Sequence, residues 1–388
     1  MQTVPTVRRL FLLVSAVVFV DTAFYAAIAP LLPSYAQDLG LSKTAAGILT
    51  ASYAAGTLLG SLPAGWLASR FGVKPTLLLG LGLMSVTSVV FGLANDIVLL
   101  DATRFVQGVG GACSWTAGMA WLISGSPAER RGELIGSSLA AAIVGMLFGP
   151  VLGGAATVIG PEALFGAVAI VGAGLAAFAW TTPGVPPSEE PSLLRGVGAL
   201  RRPAVAAGFW FFLLPALFSG VIEVLAPLRL DALGASGVAV GAVFLTAAGV
   251  EAFISPVSGR LSDRRGRLVP IRVGLLGSAV MAILLPLPSH AVVLAVAVVA
   301  VVAALGVLWA PAMAMLSEAS ETAGLDQGLA FALANLAWAG GHVLGGGAGA
   351  SLADLASDAL PYGLMAALCA GTLVVAQRSR RPAVAVAN

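Results

Sequence analysis

Apolar stretches of about 18 residues or more recur along this chain from residue 9 to residue 377. Each is long enough to cross a hydrocarbon core of about 30 Å as a helix. Only 10% of the 388 residues are charged, against about 25% in an ordinary soluble domain. The chain reads as a polytopic all-α membrane protein with little room for a soluble domain. Twelve spans are marked, at about 9–34, 44–68, 75–94, 98–124, 132–157, 161–181, 204–230, 237–261, 268–287, 290–317, 325–352 and 358–377. The start, MQTVPTVRR and an apolar run, resembles a signal peptide. The run continues past Asp21 to Pro33, too long for an h-region, and is read as the first span.

The charges orient the spans. With the N-terminus in the cytoplasm, 17 of the 20 Lys and Arg residues fall on that side: Arg8, Arg9, Arg70, Lys74, Arg130, Arg131, Arg195, Arg201, Arg202, Arg260, Arg264, Arg265, Arg267, Arg272, Arg378, Arg380 and Arg381. Lys43 and Arg229 fall outside, and Arg104 lies within a span. Both termini are therefore expected in the cytoplasm, in a bacterial inner (cell) membrane. Net charge is +2, which gives no sign of a nucleic-acid partner. Cys113 and Cys369 lie in apolar runs with no metal-ligand spacing.

The long polar connection, 181–203, is rich in proline, glycine and charge, as an exposed linker would be, with a short amphipathic piece about 193–202. It divides the chain into halves 1–181 and 204–388, with 182–203 as a cytoplasmic linker. GWLASRFGVK at 65–74 has a twin 194 residues on, GRLSDRRGRL at 259–268. Gly65 matches Gly259, Ser69 matches Asp263, Arg70 matches Arg264, and Gly72 matches Gly266. IAPL at 28–31 returns as LAPL at 225–228, and Gly145, Gly149, Gly153 return as Gly341, Gly345, Gly349. Two six-helix repeats with a site between them are a recurring plan of secondary transporters.

These motifs resemble those of the major facilitator superfamily. The twinned loop is similar to that family's G-x-L-x-D-R-x-G-x-[KR] signature between the second and third helices of each half. Arg104-Phe-Val-Gln107-Gly108 resembles its fourth-helix motif. Gly145-Met-Leu-Phe-Gly149-Pro150-Val-Leu-Gly153-Gly154 resembles the antiporter motif of the twelve-span drug:proton antiporter branch, which includes bacterial multidrug efflux antiporters and vesicular amine transporters. The resemblance implies two pseudo-symmetric six-helix bundles that alternate access, with no enzymatic activity and no cofactor beyond a proton gradient. The implied partners are a small-molecule substrate, protons and the lipid bilayer, and a monomer is expected.

In the loop motif, an acid at a helix end can bond backbone N–H groups and pair with a nearby Arg. Asp263 keeps that acid; Ser69 can cap a helix but cannot hold an ion pair. The glycine ladders suit close helix packing, either plain packing or a seal on one side of the pathway.

Ionisable residues inside spans are costly and usually functional. Asp21 lies mid-depth in the first span, one turn before Tyr25. It can pair with a cationic substrate, hold a proton, or pair structurally with a basic group. Glu223, four residues before Pro227 in VIEVLAPL, resembles the seventh-helix acid of amine transporters. Asn335 and Tyr53 stand where those transporters bear an Asp and a Lys, which puts monoamine chemistry in doubt. Arg104 is either a coupling residue, as the resemblance implies, or a snorkelling partner of Asp101 near the outer end of its helix. Glu251 is either a second proton site or a hydrogen-bonded carboxyl, and His342 reads chiefly as a packing residue. Aromatic faces beside carboxylates suit a hydrophobic cation. The expected function is proton-coupled export of small amphipathic, cationic or aromatic compounds. The alternative is a proton-independent or symport-type facilitator of a neutral solute or lipid.

Overall fold

A computed structural model describes residues 4–127, 130–184, 197–325 and 327–378. Most of the linker and the last arginines, with Arg195, Arg380 and Arg381, lie outside the described residues. Twelve spans appear in order. Span 1 is two helices, Val4–Ala26 and Ile28–Asp38, broken where Pro30 removes a backbone donor and crowds the carbonyl of Ala26. Spans 2 to 6 are Lys43–Phe71, Val73–Leu93, Ile97–Ser124, Arg131–Ile159 and Pro161–Trp180. Spans 7 to 10 are Pro203–Ala232, Gly237–Arg265, Leu268–Leu284 and Ala291–Thr322. Span 11 is helix Gln327–His342, a π-helical segment Val343–Ala348 and helix Gly349–Leu355; span 12 is Ala359–Arg378. The described elements are helical throughout, and ten of the helical units are long and apolar enough on their own to cross a membrane. Span 9, at 17 residues, is shorter. Span 4 carries Asp101, Arg104 and Gln107 and packs between spans 2 and 3.

The repeat in the sequence is a repeat in the packing. Span 1 packs on 5, 2 on 4, 3 on 4 and 6; in the second half 7 packs on 11, 8 on 10, 9 on 10 and 12. The halves meet through span 5 against span 8 and, by the same symmetry, span 11 against span 2. Matched glycines take matched backbone conformations: Gly72 and Gly266 turn between spans at φ 97° and 86°, and Gly40 and Gly234 at φ 62° and 87°. A side chain would be strained at each of these positions. Ser42 and Ser236, also 194 apart, cap the following helices by accepting from the N–H of Ala45 and Ala239.

Outward faces are apolar: Ile170, Phe253 and Val292 are each about three-quarters exposed, as a lipid-facing surface requires. Between described residues, the hydrogen bonds joining the two halves fall in two places. One lies mid-span. The others cluster at the end away from the termini. There Gln37 donates to Asp231 at 2.6 Å, Lys43 to Asp358 at 2.5 Å, and Thr44 Oγ1 to Asp354 at 2.8 Å. At this end the halves are drawn together.

The glycine ladders hold each half together. Gly145, Gly149 and Gly153 lie against span 1 backbone at Phe19, Ala23 and Ala27, and Gly341, Gly345 and Gly349 lie against span 7 at Ala216, Leu217 and Val221. The contact across the halves uses the neighbouring face of span 5, where Pro150 and Gly154 approach Gly241. The reading of the ladder as the seal is corrected accordingly: its glycines bind span 5 to span 1, and the residues beside them close the interface.

Candidate functional site

Helix Val4–Ala26 sets Asp21 and Tyr25 one turn apart on one face, just before the chain breaks at Ala27. Asp21 is buried, 7% exposed, and its Oδ1 accepts from the Tyr53 hydroxyl of span 2 at 2.7 Å. The Tyr53 ring also lies under the Arg104 guanidinium, 5.0 Å from centroid to Cζ. Tyr53 therefore sits between the acid of span 1 and the cation of span 4. Gly111 leaves room for this contact, since a Cβ there would stand 2.9 Å from Asp21 Oδ1.

Arg104 is fully buried, which corrects the expectation of a snorkelling side chain paired with Asp101. It stacks on Phe24, Tyr53 and Phe91, from three different spans, and donates to Gln107 Oε1 at 3.4 Å. Its Nε and Nη2 and the Gln107 Nε2 have no hydrogen-bond partner among the described residues. A cation held mainly by ring faces is weakly compensated, since each such contact is worth about 0.5–2 kcal/mol.

The second cluster lies where the halves meet. Tyr25 donates from its hydroxyl to Glu223 Oε2 of span 7 at 2.7 Å, the mid-span bond noted above. Glu223 Oε1 stands 3.5 Å from His342 Nε2 on span 11. The other ring nitrogen, His342 Nδ1, lies 2.9 Å from the Trp338 carbonyl. Tyr25 packs edge-on to Trp338 and at a tilt to Tyr53, with ring centroids 5.1 and 5.2 Å away. One tyrosine thus touches both clusters. A cavity of about 80 Å³ adjoins it, lined by Tyr25, Met146, Pro150, Glu223, Phe244 and Glu251. Glu251 packs against Gly306 of span 10 and lines the same cavity. Asn335 is half-buried on span 11, two turns before His342, and makes no hydrogen bond within either cluster.

The structure brings Asp21, Tyr25, Tyr53 and Glu223 into one connected array, with Arg104 behind it and Glu251 across the cavity. One member escapes a reading of the sequence: His342, taken chiefly as packing. The available signal was that Glu223 and His342 are the ionisable residues within the interiors of helices 7 and 11, which the repeat pairs as it pairs 1 and 5.

The loop motifs lie at the terminal end. Ser69 donates to the Trp66 carbonyl of its own helix, so it caps nothing beyond it, and Arg70 stacks on Trp66 and Phe71. Lys74 donates instead to the carbonyls of Trp180 and Thr182 at the end of span 6, at 2.6 and 2.9 Å. Arg272 does the same for the Ala376 carbonyl of span 12. In the second copy Asp263 bonds Arg267, which also pairs with Glu318 of span 10; these two hydrogen bonds, the Glu318 one first, favour the charged guanidinium and hold its pKa up. Arg264 is exposed, and Gly259 is loosely packed, its nearest neighbour being the Ala310 methyl group.

A family model described as Major Facilitator Superfamily matches residues 14–339 and 224–387. The chain belongs to the major facilitator superfamily. Its members are transporters, and this chain is one of them. Among curated relatives, Multidrug resistance protein 2 of Bacillus subtilis is 29% identical over 147 residues, 38% of this chain and 37% of that protein. The synaptic vesicular amine transporter of Homo sapiens is 33% identical over 122 residues, 31% of this chain and 24% of that protein. The matched stretches thus span well under half the length of these relatives. A solved major facilitator fold covers far more. The inward-facing, unoccupied structure of a bacterial homologue of the human lysosomal transporter Spinster superposes over 97% of this chain and 98% of its own, with TM-score 0.76 at 17% identity.

Proposed function

We propose that this transporter is a proton-coupled antiporter that exports small amphipathic cations, aromatic ones among them, across a bacterial inner membrane. The observation that carries the reading is the Tyr25–Glu223 bond: a carboxylate reaching a cavity of aromatic and apolar side chains, held by the opposite half of the protein. A hydrophobic cation would find a charge partner in Glu223 and ring faces in Tyr25 and Phe244. Asp21, buried behind Tyr53, has no route to a bulky substrate in this conformation and suits a proton. The relatives named for multidrug resistance and amine transport support this class.

In this reading the halves 1–181 and 204–388, joined by 182–203, rock about the site, and the protein works as a monomer with both termini in the cytoplasm. The end closed by Lys43–Asp358 and Gln37–Asp231 then faces outward. A cavity of about 80 Å³ is well below the 300–1,000 Å³ of drug-sized sites, so the halves must part further to admit substrate.

The test is transport of tetraphenylphosphonium into inside-out proteoliposomes with an acidic interior. Accumulation should collapse with nigericin and be lost in Glu223→Gln, while Asp21→Asn should uncouple it from the gradient. Flux indifferent to the pH gradient, or a double variant still coupled, would refute the proposal and favour a neutral-solute facilitator.

A further inference from the structure

The hydrogen bonds around His342 leave one contact chemically incomplete. The Trp338 carbonyl can only accept, so Nδ1 must donate to it and carry a proton. In a neutral ring Nε2 is then a bare acceptor. It stands 3.5 Å from Oε1 of Glu223, also an acceptor when ionised. The other carboxylate oxygen is already engaged by the Tyr25 hydroxyl, which donates. Two acceptors facing each other, at a site where the imidazole is 5% exposed, repel. A single proton on Nε2 turns the repulsion into an ion pair. Gly220 of span 7 packs against the His342 backbone, and the Trp338 ring lies 4.5 Å from the imidazole.

We propose that His342 is a proton-bearing coupling residue in addition to Asp21, and that its imidazolium occupies Glu223 until a substrate cation displaces it. This rests on the reading of the protein as a cation exporter. On binding, the cation takes the place of imidazolium on Glu223, and one proton leaves Nε2 for water in the cavity. For a monovalent cation the charge of the site is unchanged, so exchange at this dyad is one for one. The titratable and charged groups facing the pair are Tyr25 of span 1, Glu251 of span 8 and, beyond Tyr25, Tyr53 of span 2 with Asp21 and Arg104 behind it. Glu251 lines the same cavity and is an alternative acceptor for the departing proton, so Glu251→Gln serves as a control.

The chain has two histidines, so His290→Gln leaves His342 as the only one. Nitrogen-15 histidine NMR of that protein in lipid nanodiscs then reads both ring nitrogens directly. Without ligand at neutral pH both should be protonated, in the Glu251→Gln background also, and Glu223→Gln should bare Nε2. Saturating tetraphenylphosphonium should bare Nε2 while Nδ1 keeps its proton. In parallel, cation affinity should weaken about tenfold per pH unit of acidification while one proton competes with one cation, and His342→Gln should abolish that dependence. A bare Nε2 in the ligand-free protein overturns the proposal, as does a ring still protonated under saturating cation. Failure of cations to bind a protein whose ring is protonated in a Glu223-dependent way overturns the exporter reading and the exchange, and leaves the proton-bearing pair standing.

Discussion

Gly149 and Gly241 lie within a turn of the same interface and should fail in opposite ways. A Cβ at Gly149 would stand 2.7 Å from the Ala23 carbonyl oxygen, within the first half. A Cβ at Gly241 would stand 2.6 Å from the Pro150 carbonyl oxygen, across the halves. Cβ atoms essentially never approach closer than 3.0 Å; the Pro150 and Ala23 carbonyls and the still closer Ala26 Cβ cannot swing aside, so a helix must move by about 0.4 Å at Gly241 and by more at Gly149. Overpacking of this kind costs about 1–3 kcal/mol. For Gly149→Ala the cost persists in every conformation that keeps spans 1 and 5 together, so it appears as lost stability. For Gly241→Ala it exists only while the halves are closed at this end, so it moves the conformational equilibrium by about 5- to 150-fold. Spin labels at Leu39→Cys and Leu233→Cys, on the loops of the closed end, read that equilibrium as a distance distribution. Gly241→Ala should populate the longer distance with a nearly unchanged melting midpoint; Gly149→Ala should lower the midpoint and leave the distances alone. If Gly149→Ala moves the distances and Gly241→Ala does not, the assignment of ladder to stability and neighbouring face to gating is wrong.

The same labels test the outer ion pair. Lys43 and Asp358 are 37% and 18% exposed, and so accessible a pair is worth about 0.2–1 kcal/mol; Lys43→Met should open this end by no more than about fivefold, and only at low salt. Tyr53→Phe removes the donor to buried Asp21, at a cost of about 1–3 kcal/mol. In a double-mutant cycle with Asp21→Ala, thermal stabilities should be strongly non-additive; additive losses would show that the 2.7 Å contact is energetically idle.

What the sequence made legible was whatever depends on backbone and repetition. Spans follow from hydropathy because a helix is what satisfies a backbone in lipid. Gly72 and Gly266 could be matched because a positive φ admits little else, and the shared turn follows. What stayed hidden depends on which faces meet. The ladder's spacing announces close packing but not the partner, and span 1 rather than span 8 is that partner. Arg104 sits near Asp101 in sequence, yet its neighbours are rings from spans 1, 2 and 3, which no local pattern specifies. His342 looks like filler among glycines until Glu223 is placed opposite it. Ser69 keeps a capping residue's chemistry, but its hydroxyl is spent on its own helix.

The bond between Gln37 and Asp231 joins residues 194 positions apart, half the length of the chain. They are the same position of the repeat, meeting on the axis that relates the halves. In a symmetric dimer of separate six-span chains a residue on that axis would face its own copy. A carboxylate there would oppose a carboxylate, and an amide an amide. Fusing the halves into one polypeptide frees the two copies to diverge, so that a donor can oppose an acceptor at the one place where symmetry forbids it. A half excised and paired with itself would bring Asp231 against Asp231, so covalent linkage is what makes a complementary clasp available at the closed end.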